Sequence, residues 1–348
     1  MDRGLAGADR AGADHRLASG ARSHRPHRRS GRNHRVSGLA DTPLVAVIAT
    51  GGTIASRKDA AGAARPALSG QDLLDLLPPM QVRLRPVELL AKDSSSLTLT
   101  DMQAISDAVA AQLADPEVAG VVVLHGTDSM EETALLLHLQ GRTARPVLLT
   151  GAQFAADSAQ PDGPGNLAAA IGAVLQGPAG VRVAFGGRLL PVWGLYKSAS
   201  DSADAFARAK ADAVPPRLPP LPRPVPGLRV DIVALHPGAD ALHLDASIAA
   251  GARGIVLAAL GSGNTTAAVV QAVARARDAG IAVVTSSRVP NGWLAPAYGG
   301  GGGGHDLVEA GAVHSALLRP GQARILLAAL LANDCADRAT LTAAFGQA

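Results

Sequence analysis

With one cysteine in 348 residues, Cys335, the chain cannot close an internal disulfide or build a cysteine cage around a metal. Cys335 lies in an Ala/Leu-rich C-terminal segment and reads as small apolar filler. Aromatics are nearly as scarce, at 2% of the chain. The interior must therefore be built from Ala, Val and Leu, and a hydrophobic content of 47% suffices to fill two ordinary domains. No run approaches the ~18 consecutive apolar residues of a membrane span. The N-terminus has Arg and His but no apolar stretch, so it does not read as a secretory signal. A cytoplasmic protein with no membrane partner is expected.

The net charge of +3 and pI near 9.4 are set by one end of the chain. Residues 1–40 hold nine Arg and three Asp, leaving 23 of the 32 basic and 26 of the 29 acidic residues for everything after them. The body is mildly acidic, which argues against a nucleic-acid partner. Residues 1–40, rich in Arg, His, Gly, Ser and Ala without an apolar period, read as a disordered basic tail.

From Leu44 short continuous apolar runs alternate with Ala/Leu-rich segments of helical length. The runs are LVAVIA at 44–49, VVVLH at 121–125, PVLLTG at 146–151 and VRVAFGG at 181–187. Runs that do not alternate with polar residues predict strands buried on both faces, hence a doubly wound, mainly parallel α/β sheet. At 214–228 the segment around VPPRLPPLPRPVPG reads as an extended proline-rich linker. Beyond it VDIVALH at 230–236, GIVLAAL at 254–260 and IAVVTSS at 281–287 predict a second, smaller α/β domain. The organisation expected is a tail at 1–40, a larger domain at 41–213, the linker at 214–228 and the smaller domain at 229–348. The glycine run in YGGGGGGHD reads as a flexible loop, since no strand leads into it and no GK[ST] follows.

The residues that carry chemistry sit where these strands end. The first strand runs into Thr50-Gly51-Gly52-Thr53, placing hydroxyls at the carboxyl edge of a parallel sheet, where such folds bind ligands. The string lacks the GxGxxG spacing, which disfavours a dinucleotide. The second run leads into His125-Gly126-Thr127-Asp128-Ser129-Met130-Glu131-Glu132, where Asp128 with Glu131, or Ser129 with Glu132, fits a helix capping box. The third ends in Thr150-Gly151-Ala152 and is followed by an Asp-Gly-Pro turn leading into a helix at Asn166. Lys197 stands alone among small polar residues in WGLYKSASDSADAF.

The strings TGGTIAS, HGTDSMEETA, TGAQ with DGPGNL, YKSASDSADAF, ALGSGN and SSRVPNG occur in the order and approximate spacing of the bacterial L-asparaginase (asparaginase/glutaminase) family, which the chain resembles from about Leu44 to its C-terminus. The resemblance implies hydrolysis of asparagine to aspartate and ammonia through a threonine nucleophile and an acyl-enzyme, with minor activity on glutamine and with no metal or cofactor. It makes Thr53 the nucleophile, Thr127, Asp128 and Lys197 the other catalytic residues, and Ser94, Ser95, Ala152 and Asn264 substrate-binding residues. It also implies a homodimer or homotetramer in which Asn264 reaches a neighbouring protomer's site. The chemistry is coherent, because a threonine hydroxyl needs a base before it can attack an amide.

The sequence departs from the family at a lid tyrosine and also near Gly299 in the glycine run, where many members have a Glu that reaches the substrate ammonium of a neighbouring subunit. The family carries a tyrosine on a lid after TGGTIA, whereas the only tyrosines here are Tyr196 and Tyr298. The segment from Ser56 to Gln71 is read as a mobile lid without that hydroxyl. The competing readings are the ammonia-releasing component of a tRNA-dependent amidotransferase and a non-catalytic acidic-amino-acid sensor.

Overall fold

A computed structural model describes residues 42–58 and 64–346; the tail expected at 1–40 and the tip of the expected lid lie outside the described residues. In chain order the first half contains β1 (Leu44–Ala49), the short hairpin β2 (Ser56–Lys58) and β3 (Ala64–Pro66), α1 (Gly70–Asp75), β4 (Arg83–Glu88), α2 (Leu99–Ala114), β5 (Val118–Leu124), α3 (Met130–Leu139), β6 (Pro146–Thr150), α4 (Gly163–Gln176), β7 (Gly180–Phe185), β8 (Arg188–Pro191), β9 (Leu195–Lys197) and β10 (Phe206–Arg208). The second half contains β11 (Val230–Ala234), α5 (Leu242–Ala249), β12 (Gly254–Ala259), α6 (Ala267–Asp278), β13 (Ala282–Ser287), α7 (Gly304–Ala310), β14 (Val313–His314), α8 (Pro320–Ala332) and α9 (Arg338–Phe345).

The larger sheet has the order β4-β1-β5-β6-β7-β8. All its pairings are parallel except that of β7 with β8, which turn on Gly186 and Gly187 at φ 56° and 72°, the positive values a two-residue hairpin needs. Every residue of β1 is buried, as are the last five of β5, because helices cover both faces. This is why those strands are apolar without alternation. The smaller sheet, β11-β12-β13-β14, is parallel throughout. The fold is therefore the α/β arrangement the apolar runs predict, a large mainly parallel sheet followed by a smaller one.

The two sheets share an interior. Val121, Leu136 and Val183 from the first half and Val256, Val284 and Leu327 from the second belong to one buried apolar cluster, and residues from Thr42 onward form one compact unit. The proline-rich segment is held along α2 and α3 rather than spanning open space. Leu221 N–H donates to Leu139 O at 2.7 Å, Val225 N–H donates to Gln103 Oε1 at 3.2 Å, and both side chains are buried, each burial stabilising by about 1.5–3 kcal/mol. The last glycine of the glycine run opens α7, where Asp306 accepts from Gly301 N–H and Gly303 N–H, each at 2.8 Å. Among the described residues no helix is long and apolar enough to cross a membrane.

Candidate active site

The strand order places a crevice before any side chain is considered. From β1 the chain goes to β4 on one side and then to β5 on the other, so the loops leaving the carboxyl ends of β1 and β5 diverge at a topological switch point, where open α/β sheets bind ligands. Thr53 follows the first of these strands and Thr127 the second.

Glycines allow these loops to meet. Gly51 and Gly52 have φ of 100° and 87°. A Cβ on Gly51 would lie 2.6 Å from Lys92 O, and one on Gly52 would lie 2.5 Å from Gly126 Cα. The loops after β1, β4 and β5 thus touch backbone to backbone, which only glycine permits. A 3-10 turn, Thr53–Ala55, follows, and Ser56 Oγ donates to Gly52 O at 2.9 Å.

Four threonines lie at these strand ends, and their hydroxyls are used differently. Thr50 Oγ1 donates to Leu124 O at 2.8 Å and Thr150 Oγ1 to Ala184 O at 2.7 Å, both buried. Thr127 Oγ1 accepts from Lys197 Nζ at 2.8 Å. Thr53 is half-buried, and no hydrogen bond engages its side chain among the described residues. Lys197, at the end of β9 in a two-stranded ribbon with β10, also donates to Asp128 Oδ1 at 2.7 Å. The lysine side chain is 19% exposed and that of Asp128 58%, so the amine is largely enclosed while the carboxylate is open to solvent.

Ser94 backs this group. Its hydroxyl accepts from Asp128 N–H at 3.0 Å and keeps its own hydrogen to donate, and its carbonyl accepts from Ser129 Oγ at 2.7 Å. Ser94 is buried and Ser95 beside it is exposed. His125 is fully buried, with Nδ1 2.7 Å from Gly126 O and Nε2 2.9 Å from Thr133 Oγ1. Burial pushes its pKa down to about 4, so the ring is neutral. A neutral ring facing a carbonyl must carry its hydrogen on Nδ1 and accept from Thr133 on Nε2.

Ala152 is buried in the loop after β6, which two residues absent from the expected site hold in place. Asp162 accepts from Gln153 N–H at 3.0 Å and Phe154 N–H at 2.9 Å, while Asn166 Nδ2 donates to Gly151 O at 3.0 Å. The DGPGN string was the available signal: α4 starts at Gly163, so its first turn faces that loop. The expected capping box at the head of α3 does not form. Ser129 makes no side-chain cap bond, having donated to Ser94 O, and Glu132 faces Arg324 at 3.4 Å. Glu131 Oε2 is buried without a hydrogen-bond partner, and burial pushes its carboxyl up to about 8. Among the described residues no group of His, Cys, Asp and Glu is arranged to hold a metal.

Asn264 is not part of this constellation within the chain. It ends a tight turn after β12, where Leu260 N–H donates to Asn264 O at 2.9 Å and Gly304 N–H approaches Asn264 Oδ1 at 3.4 Å. It lines a shallow pocket with Thr265, Tyr298 and the glycine run.

Comparison with known proteins decides which family this crevice belongs to. The family model "Asparaginase, N-terminal" matches residues 44–215 and "Glutaminase/Asparaginase C-terminal domain" matches 229–345. A probable L-asparaginase of Deinococcus radiodurans is 35% identical over 331 residues, 88% of this chain and 98% of that protein. The chain belongs to the asparaginase family. It is accordingly an asparaginase-type amidohydrolase. Its solved relatives include a probable cytoplasmic L-asparaginase from Campylobacter jejuni, 26% identical with a TM-score of 0.77, covering 88% of this asparaginase chain and 100% of that one. One component of the glutamyl-tRNA(Gln) amidotransferase of Methanopyrus kandleri is 33% identical over 282 residues, which is 71% of this chain but 61% of that protein.

Proposed function

We propose that this asparaginase hydrolyses L-asparagine to L-aspartate and ammonia, with Thr53 as nucleophile and Thr127, Lys197 and Asp128 as its proton relay. The observation that carries the reading is the double contact of Lys197 Nζ, 2.8 Å from Thr127 Oγ1 and 2.7 Å from Asp128 Oδ1, on a loop whose Gly126 meets Gly52, the residue before Thr53, and the Thr53 hydroxyl is unbonded among the described residues. Thr53 Oγ1 attacks the side-chain amide carbon. Its proton passes through Thr127 to Lys197 as the free amine and is returned to the leaving nitrogen, which departs as ammonia. Water then attacks the aspartyl ester by the same route, releasing aspartate and restoring Thr53.

Substrate charge is met on both ends. Asp128, exposed to solvent, faces the α-ammonium. The Ser94 hydroxyl, whose hydrogen is still free to donate, and the exposed Ser95 face the α-carboxylate. Ala152 offers its carbonyl to the amide. One methylene separates asparagine from glutamine, worth about 1–3 kcal/mol in an apolar pocket, so glutamine is cleaved as a minor substrate. Asn264, whose contacts in its own chain are with Leu260 and Gly304, completes the site of a neighbouring copy in a homodimer or homotetramer.

The test is ammonia release from asparagine by the wild type and by Thr53→Ala. Turnover by the wild type and its loss in the variant are expected. A fully active Thr53→Ala enzyme removes Thr53 as nucleophile, and a wild type that binds asparagine without releasing ammonia supports the sensor reading instead.

A further inference from the structure

Lys197 and Thr127 come from different elements, so the bond between them depends on how those elements are held together. Lys197 stands on the β9–β10 ribbon, which belongs to neither large sheet, and Thr127 and Asp128 precede α3. Besides the Lys197 side chain itself and its backbone N–H toward the Glu131 carboxyl, a polar tie between the two comes from the far end of the sequence. Gln322, in the first turn of α8, is 1% exposed. Its Nε2 donates to Val192 O at 2.6 Å and to Glu131 O at 3.1 Å, and its Oε1 accepts from Gly194 N–H at 2.9 Å.

Gly194 lies three residues before Lys197, and Glu131 three residues after Asp128. Both amide hydrogens and the amide oxygen are therefore engaged, a demand that needs two donors and one acceptor on one group. The residues around Gln322 close the same seam. A Cβ on Gly321 would lie 2.7 Å from Glu132 Oε1. Arg324 Nη1 lies 3.4 Å from Glu132 Oε2, and Arg324 Nε donates to Val230 O at 2.9 Å. On the ribbon side Gly194 has φ 74° and packs on Leu317.

We propose that Gln322 is a positioning residue for the relay: through Val192 O, Gly194 N–H and Glu131 O it fixes the ribbon against the head of α3 and thereby the separation of Lys197 Nζ from Thr127 Oγ1. The inference rests on the reading of Lys197 and Thr127 as the proton relay. It gives the C-terminal half a catalytic consequence inside its own chain, separate from anything Asn264 does for a neighbour. Gln322 touches no reacting atom, so its effect falls on the rate of the chemical step and not on substrate affinity. A misplacement of about 1 Å in such a group costs on the order of 10²-fold in rate.

The experiment compares the full-length wild type with Gln322→Met, which keeps the volume and removes all three hydrogen bonds, and with Leu244→Ala. Leu244 is a buried residue of the smaller sheet's own core, so this variant loses thermal stability far from the relay. Steady-state kcat and KM for asparagine are measured beside Tm. The expected result is a fall of about 10- to 100-fold in kcat for Gln322→Met with KM within about twofold, while Leu244→Ala keeps its kcat despite a lowered Tm. A Gln322→Met kcat within twofold of wild type overturns the proposal, as does an equal kcat loss in Leu244→Ala. If Gln322→Met does not fold, Gln322→Glu decides: it keeps an acceptor for Gly194 N–H but cannot make both donations. A kcat at least fivefold low at unchanged KM then supports the role, and wild-type kcat overturns it. Lys197→Met separates the two levels. Turnover retained in that variant brings down the relay reading and this proposal together, whereas its loss alongside a fully active Gln322→Met brings down the proposal alone.

Discussion

Replacing Glu131 by Gln changes the pH dependence of stability in a direction that follows from its place under the head of α3. Oε2 has no hydrogen-bond partner and is sealed from solvent, although the residue as a whole is only partly buried. Burial holds the carboxyl at about 8 in the folded protein against 4.5 in a solvated chain; its own backbone N–H opposes this, the neighbouring charge of Glu132 adds to it, and the backbone N–H and charge of Lys197 oppose it. Arg324, on α8, draws the charge of Glu132. Below pH 4.5 the carboxyl is protonated in both states, and its contribution to stability is fully present. As pH rises toward 8 the unfolded chain ionises while the folded one does not, so unfolding releases a proton and the contribution is lost, completely so above the folded value. At about 1.4 kcal/mol per pH unit, a separation of about 3.5 units sets a ceiling of about 5 kcal/mol. A glutamine has nearly the same shape and does not titrate. Any cost of its amide in this place is the same at every pH, so the slope carries the test. Urea unfolding of wild type and Glu131→Gln at intervals from pH 5 to 8.5 should show the variant gaining on the wild type by several kcal/mol as pH rises. Parallel stability curves would refute the argument, because they would mean that Glu131 ionises in the folded protein as it does in water.

Thr127→Val and Lys197→Met should each lower kcat for asparagine by several orders of magnitude with a small change in Tm, since neither side chain is part of the apolar core; near-normal ammonia release by either refutes the relay. Lys197→Arg keeps the positive charge but cannot give up a proton, so it should be as inactive as the Met variant, and an active Arg variant shows that charge alone is the requirement. Gly52→Ala, at φ 87° and with its new Cβ 2.5 Å from Gly126 Cα, should inactivate the enzyme and destabilise it by more than about 1 kcal/mol; unchanged kinetics would mean that the loops after β1 and β5 need not touch. Sedimentation should show a homo-oligomer in which Asn264→Ala lowers activity without dissociating it, and a fully active monomer removes Asn264 from the site.

What could be read from the sequence follows from where physical constraints are local. Strands β1, β5, β6, β12 and β13 announced themselves because burial on both faces demands unbroken apolar runs, whereas β7 and β11, read by the same rule, are buried only in part, with Arg182, Asp231 and Ile232 accessible. The edge strand β4, RLRPVE, did not: its residues are all at least partly accessible and it contains Pro86, tolerated because an edge strand has one unpaired side. The candidate site was legible as strings at strand ends, but its convergence was not. Lys197 reaches Thr127 across 70 positions from a three-residue strand too short to show any period. The capping-box spacing at Asp128–Glu132 misled for the same reason in reverse. A local rule lost to distant partners, since Ser94 takes the Ser129 hydroxyl and Arg324 draws Glu132. Gln322 gave no signal, because a buried glutamine in an apolar helix is indistinguishable in sequence from one facing solvent.

The division of labour among the strand-end threonines bears on the missing tyrosine. A hydroxyl already donating to a buried carbonyl, as Thr50 and Thr150 do, cannot attack without leaving an acceptor unpaired at a cost of about 1–3 kcal/mol. Thr53 carries no such obligation among the described residues, and the chain next to it turns into the β2–β3 hairpin, whose sequence from Ser56 to Gln71 supplies no phenol. The family resemblance implies a second hydroxyl there, on a lid tyrosine, that would help remove the proton. In this chain the proposed route is left with one side, through Thr127 to Lys197. Removing one hydrogen-bonding partner of a reacting group costs about 10²–10³ in rate, so single substitutions in the relay should be more damaging here than in a lid-tyrosine asparaginase, where a parallel path remains. Installing a tyrosine in the hairpin of Lys197→Met is the corresponding test: partial recovery of turnover would show that the two paths are interchangeable. No recovery, with the hairpin folded, would show that Lys197 supplies something a phenol cannot.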